Sequence, residues 1–291
     1  MKYQPKNLIL DLTELGLLCI EGPDAKKFLQ GQLTCNLETI SSTQTSLGAH
    51  CNPQGRIISF FRLFYYQGRY YLQMQADMLP LALAALKKYA VFFKVTLEPV
   101  NDFNTMGYCG DQLQYYLDKI PEKTDEIAES NGLLILKLSR RYQIVGQTTA
   151  LLWKKMIVDN QPGSAEVWKQ LNFEENVPTI YPETSEKFLP HDLQLPQLNA
   201  VSFDKGCYTG QEIIARMQYR AKIKNRLWCV SVKTEQVPQR GADIYDQTNI
   251  AGVLVDYYKT AENAYILQIM SSQADGLFLD QNKQYPIAND R

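Results

Sequence analysis

Histidine and closely spaced cysteine, the usual markers of metal and redox sites, are nearly missing from this chain. The 291 residues contain two histidines, His50 and His191, and six cysteines at 19, 35, 51, 109, 207 and 229, never closer than sixteen residues apart. No C-x-x-C pair exists, so no local zinc, iron–sulfur or dithiol site is encoded. Neither histidine lies in a triad or an H-x-x-x-H pattern, and both the G-x-G-x-x-G and the Walker A loops are absent. Long apolar runs are lacking too: Met78–Leu86 is about half the ~18 residues that a membrane-spanning helix needs. Nor does one sign of charge dominate. Lys plus Arg number 30 against 31 for Asp plus Glu, a net charge of -1, which gives no global attraction to nucleic acid or to an anionic membrane. The N-terminal MKYQPKNLILDL meets Asp11 before an apolar signal-peptide core can develop, so the expectation is a cytoplasmic protein, by default a monomer. Its scattered thiols are then expected to be reduced, small buried hydrophobes.

What is present is an ordinary globular composition, with 45% hydrophobic and 21% charged residues. A chain beyond roughly 250 residues divides into more than one domain. Two hairpins stand out by their crowded β-branched and aromatic residues. The first runs Arg56–Tyr66, turns at Gln67-Gly68 and returns through Arg69–Met74; the second is Leu133–Leu138, a turn at Ser139-Arg140, and Tyr142–Val145. A helix is predicted after each, from Asp77 to Tyr89 and from Leu151 to Val158, and an earlier one from Pro23 to Gln30 with Gly31 just past its end. Strand, helix, hairpin and helix thus recur, which indicates two α+β units across residues 1–222. Beyond, Leu227–Lys233, Asp243–Tyr245, Ala251–Tyr258 and Ala264–Met270 are short strands separated by Pro238, Gly241 and Gly252, which suits a small β-barrel over 223–291.

The most informative stretch is Lys205-Gly206-Cys207-Tyr208-Thr209-Gly210-Gln211-Glu212. Thr209 and Glu212 have capping-box spacing, and Ile213, Ile214 and Met217 supply an apolar face, so a helix is predicted to begin at Thr209. Cys207 then sits ahead of a helix N-terminus with Lys205 nearby, and both features favour thiolate if the sulfur is exposed. The competing reading is a small buried residue packing the turn. Basic residues follow: with Lys205, the residues Arg216, Arg220, Lys222, Lys224 and Arg226 face a single acid, Glu212, a local +5. Such a patch is either a solvated helix end or a surface for RNA phosphates, an anionic cofactor or an acidic partner.

KGCYTGQE, together with GAHCNPQGRIISFFRLF, FLQGQLT and FLPHDLQLPQLNAVSFDKGC, closely resembles the YgfZ family, folate-binding relatives of the glycine-cleavage T-protein (aminomethyltransferase). The resemblance runs from about Leu8 into the C-terminal strands. It implies a T-protein-like arrangement of three domains around a central cavity that holds tetrahydrofolate or a derivative. It also implies an accessory role for iron–sulfur client enzymes, one of which thiolates tRNA. Carried onto this chain, the signature cysteine and lysine fall on Cys207 and Lys205, and the folate-associated tryptophans on Trp168 and near Leu15. Leucine at 15 removes one aromatic wall, and Trp168 reads equally well as a helix-face core residue.

The T-protein relatives use an aspartate in the hairpin that follows the N-x-x-G turn. Here no Asp or Glu occurs between Glu38 and Asp77, so that hairpin supplies no acid or base of this kind. A folate-binding accessory factor for iron–sulfur enzymes and tRNA modification is the leading expectation. A folate-dependent one-carbon transferase or demethylase comes second, and a tRNA- or partner-binding module without chemistry third.

Overall fold

The computed structural model describes residues 7–220, 222 and 224–289. The chain enters through β1 (Leu8–Asp11), then forms β2 (Leu15–Glu21), α1 (Ala25–Gln32), β3 (Ser46–Cys51), β4 (Ile57–Tyr66) and β5 (Arg69–Gln75). Helix α2 (Leu79–Ala90) and β6 (Thr96–Val100) complete a first unit, whose sheet is ordered β3-β4-β5-β2-β6. The second unit takes β7 (Asn104–Cys109), β8 (Ile127–Ser130), β9 (Leu133–Leu138), β10 (Arg141–Gly146), α3 (Thr149–Met156), β11 (Gln161–Gly163) and α4 (Ala165–Glu174). Its sheet is ordered β11-β1-β7-β10-β9-β8. The two α+β units are therefore interwoven, because the first strand of the chain pairs within the second sheet.

Side-chain alternation along the strands explains the layering. On the first sheet Leu18, Ile20, Leu63, Leu72 and Met74 share a core with Phe28 and Leu29 of α1 and with Ala82 and Leu86 of α2. Their neighbours Leu17, Cys19, Phe64 and Tyr71 point the other way, onto Leu134, Leu136 and Val145 of the second sheet. That sheet in turn presents Ile135, Ile144, Met106 and Tyr108 to Leu152 and Met156 of α3. The order is helix, sheet, sheet, helix. Because both of its faces are covered, β4 reads as the nearly unbroken apolar run IISFFRLFYY.

After α5 (Gln211–Arg220) come β12 (Arg226–Lys233), β13 (Asp243–Tyr245), β14 (Ile250–Ala261), β15 (Ala264–Ser271) and β16 (Ile287–Ala288), ordered β13-β14-β15-β12-β16. The two edges of this sheet are joined through residues 277–279. Tyr245 and Phe278 exchange backbone hydrogen bonds at 3.0 and 2.8 Å, and Ile287 N donates to Leu277 O at 2.9 Å, so the strands close into a small barrel. The expected junction near residue 222 falls beside Ala221 and Ile223, which lie outside the described residues, as do the first six residues of the N-terminal stretch. Among the described residues no helix is long and apolar enough to cross a membrane.

Several local expectations shift. Helix α1 starts at Ala25 and contains Gly31, because the buried positions Ala25, Phe28, Leu29 and Gln32 carry the helical period through it. Asp77 lies in a single 3-10 turn, Ala76–Met78, which leads into α2, whose N-cap position is Met78. The predicted Leu151–Val158 helix begins earlier, at Thr149, and ends at Met156.

His50 is 1% exposed, and neither of its ring nitrogens has a hydrogen-bond partner. Burial pushes the imidazole pKa down from 6.5 to about 4. Between those values the unfolded chain binds a proton that the native ring refuses, so this group lowers stability as pH falls. We expect His50→Leu to remove a dependence of up to about 1.4 kcal/mol per pH unit over that window. Denaturant titrations at several pH values check it; parallel curves for the two proteins would refute it.

Candidate functional site

The four segments that carry the resemblance converge at the entry to α5. The turn Asn52-Pro53-Gln54-Gly55 closes with Gly55 N donating to Asn52 O at 2.8 Å and Arg56 N to the Asn52 side chain at 3.0 Å. Gly210, at φ +83°, lies against this turn so closely that a Cβ would stand 2.6 Å from Asn52 O, a position open only to glycine. From the end of α1, Gly31 O accepts Thr209 N at 3.2 Å, and Gln32 bonds the Thr209 hydroxyl at 3.2 Å. From the 188–203 run, Phe188 O accepts Ile57 N at 2.8 Å, and Thr34 bonds the backbone of Ala200 and Ser202.

Lys205 is the clasp of this assembly. Its half-buried ammonium donates to the carbonyls of Leu33 and Cys35, both at 2.7 Å, and lies 5.1 Å from the centre of the Tyr208 ring. Desolvation pushes its pKa down to about 8. The lysine charge is thus spent on backbone carbonyls. Cys207, two residues on, is exposed, whereas Cys19, Cys35, Cys51 and Cys109 are buried and Cys229 is half-buried. The helix that follows starts at Gln211, two residues later than the capping-box spacing predicts, because the Thr209 hydroxyl is taken by Gln32 while the Gln211 side chain bonds Tyr208 N at 3.3 Å.

A separate feature is a cavity of about 540 Å³ where the two sheets and α4 meet. Its apolar wall includes Leu15, Leu47, Phe61, Trp168 and Leu198. The opposing polar wall pairs three guanidinium groups with three carboxyl groups: Arg62 with Asp125 at 2.5 Å, Arg140 with Glu174 at 2.7 Å, and Arg141 with Glu175 at 3.1 Å. At its floor the buried amide of Gln143 donates to Gln73, which donates to Thr105 at 3.0 Å, linking the two sheets. Trp168 is 5% exposed. The Arg141 guanidinium covers its ring at 4.1 Å, and Gly107 leaves the space that the ring edge fills, since a Cβ there would stand 2.8 Å from it. Arg141 itself is 1% exposed and is held by Trp168 O at 3.0 Å and Asn172 at 2.6 Å. Burial lowers its pKa to about 10.

The structure therefore brings Leu15 and Trp168 together on one cavity and places Lys205 and Cys207 elsewhere; neither of these is among the residues that line it. Arg216, Arg220, Lys222, Lys224 and Arg226 are exposed around the far end of α5. His191 is buried, with Nε2 3.1 Å from the Gln218 side chain. Sequence reasoning missed Asp125, Arg140, Arg141, Glu174 and Glu175. The doublets Arg140-Arg141 and Glu174-Glu175 were visible as charge within otherwise apolar stretches, the one signal that could have found them. Arg62 of the first hairpin faces the cavity, while Arg56 bonds Lys187 O and Arg69 pairs with Glu21. A planar heterocycle that has both donors and acceptors fits this lining. No cysteine or histidine lines it, and each carboxyl group is met by an arginine.

No family model matches the chain. It is similar to the tRNA-modifying protein YgfZ of Colwellia psychrerythraea, with 28% identity over 97% of this chain and 94% of that one. The protein of the same name in Hamiltonella defensa is 34% identical over 81% of this chain and 73% of its own. An uncharacterized Haemophilus influenzae protein is 33% identical over 81% and 77%. Among solved structures, the glycine cleavage system aminomethyltransferase T of Bartonella henselae superposes with a TM-score of 0.75 at 15% identity, covering 98% of this chain and 84% of that one. The fold is thus T-protein-like.

Among the described residues, removing Arg141 leaves Glu175 with the longer Arg140 ion pair at 3.9 Å. We expect Arg141→Met to cost about 3 kcal/mol or more in urea denaturation. Adding Glu175→Gln is expected to recover part of that loss; a single-variant cost below about 1 kcal/mol would refute the assignment.

Proposed function

The chain belongs to the YgfZ family, and from that premise we propose that it binds tetrahydrofolate or a derivative in its central cavity. In this reading it serves as an accessory factor for iron–sulfur client enzymes, a tRNA-thiolating enzyme among them, with Cys207 as the working thiol. The observation that carries the reading is the cavity of about 540 Å³ with Trp168 and Leu15 on one side and the Arg140–Glu174 pair on the other. The volume lies within the range of small-molecule sites. A pterin carries adjacent N–H donors that a carboxylate such as that of Glu174 can accept, and a ring carbonyl that a guanidinium or the Gln143 amide can bond. Its flat ring suits the slot beside Trp168. Leucine at position 15 makes the neighbouring stretch of that wall aliphatic, which supports dispersion contact but no aromatic stacking.

Binding, not transfer chemistry, is what this lining supports. General acid–base catalysis needs a group free to exchange a proton with the substrate. Asp125 is the nearest counterpart to the missing hairpin aspartate, and it is held by Arg62 at 2.5 Å. The thiol is a different matter. Cys207 opens to solvent on a loop clasped by Lys205, where a partner protein or an oxidised species can reach it without displacing a ligand from the cavity.

The two roles separate experimentally. In calorimetric titration with tetrahydrofolate, Glu174→Gln is expected to weaken binding about tenfold, the worth of a hydrogen bond to a charged group, while Cys207→Ala leaves affinity unchanged. In cells lacking the native protein, Cys207→Ala is expected to fail to restore tRNA thiolation although it still folds. Absence of binding heat would reject the folate assignment, and full rescue by Cys207→Ala would reject the thiol.

A further inference from the structure

The basic residues beyond α5 surround a second, smaller cavity that the folate reading does not use. It measures about 220 Å³ and lies between the end of α5, the following segment and the 191–197 turn. Lys224 and Arg226 supply its charge, and the amides of Gln194, Gln197 and Gln218 supply paired donors and acceptors; no carboxyl group lines it. His191, 3% exposed, also lines it, and its Nδ1 is buried without a partner while Nε2 is tied to Gln218. Outside the rim, Arg216 and Arg220 stand four residues apart on α5, on one helix face, and Lys222 extends the row.

Two aromatic groups frame this array. Tyr219 is 71% exposed, and the edge-to-face contact with Phe203 at 6.0 Å holds its ring. The Arg226 guanidinium lies over the half-buried Trp228 ring, 3.6 Å from its centre, a cation–aromatic pair at the edge of the array. Cations alone suit any polyanion. Cations beside the exposed Tyr219 ring, next to a pocket of amides able to bond base edges, suit a polynucleotide whose bases are unstacked.

We propose that this face binds a single-stranded polynucleotide, with phosphates on Arg216, Arg220, Lys222 and Lys224, a base stacked on Tyr219, and the 220 Å³ cavity taking an adjacent base or phosphate. The site is independent of cavity occupancy by folate and stands whether or not that reading survives.

Fluorescence anisotropy with labelled oligouridylate and oligothymidylate of about a dozen nucleotides tests it at low salt. Binding is expected to weaken steeply with added salt, and Arg216→Ala and Arg220→Ala are each expected to reduce the log–log slope by about 0.7, the single-strand value per phosphate contact. Lys224→Glu and Tyr219→Ala are each expected to lose about tenfold in affinity, with circular dichroism confirming the fold. Stronger binding of the uridylate assigns the site to RNA; stronger binding of the thymidylate assigns it to DNA. The proposal is overturned by absence of binding at low salt, by unchanged affinity in both Lys224→Glu and Tyr219→Ala, or by polyglutamate displacing the oligonucleotide at matched charge, which would mark an acidic protein partner.

Discussion

Arg141 is the buried charge on which the architecture of the cavity turns. It leaves the second sheet at the start of β10, crosses the face of Trp168, and bonds α4 at Trp168 O, Asn172 and Glu175. A guanidinium taken out of water is costly unless its donors are met, and here α4 provides acceptors for the two terminal nitrogens, while Nε stays buried without one. The same contacts fix where α4 ends and thus place Glu174 and Glu175 on the cavity wall. Gly107, in the strand beside β10, admits the Trp168 ring that this stack requires. The charge, the ring and the missing side chain form one unit.

The molecule keeps its chemically distinctive features apart. The cavity lies where the two sheets meet α4, its charges paired and its floor closed by the Gln143–Gln73–Thr105 chain. The thiol lies at the entry to α5, on a loop whose only nearby sequence cation, Lys205, faces inward to carbonyls. The basic, aromatic-studded face lies at the exit of α5, a ten-residue helix of about 15 Å. A ligand in the cavity, a partner at the thiol and a polyanion at the far end need not compete for space.

Much of the fold was legible because local patterns dominate it. Both hairpins and the barrel strands follow from alternation and turn residues, both properties of neighbours in sequence. The convergence of four conspicuous segments at the α5 entry was not legible, since Lys205 meets Leu33 and Cys35 across some 170 residues of chain. The cavity carboxylates escaped for the same reason. Asp125 lies far from the hairpin where an acid was sought, yet folding sets it against Arg62.

By itself the sequence determined two α+β units, a terminal barrel, a cysteine motif just ahead of a helix and a local excess of positive charge, because each is written in residues close together along the chain. Only the tertiary structure decided that Leu15 and Trp168 share one cavity while Cys207 stands outside it, and that the Lys205 charge turns away from the sulfur it adjoins. Proximity in sequence constrains backbone geometry over a few residues. Which side chains face one another across sheets, and which charges find partners before they reach a ligand, depends on packing between segments that no local pattern encodes.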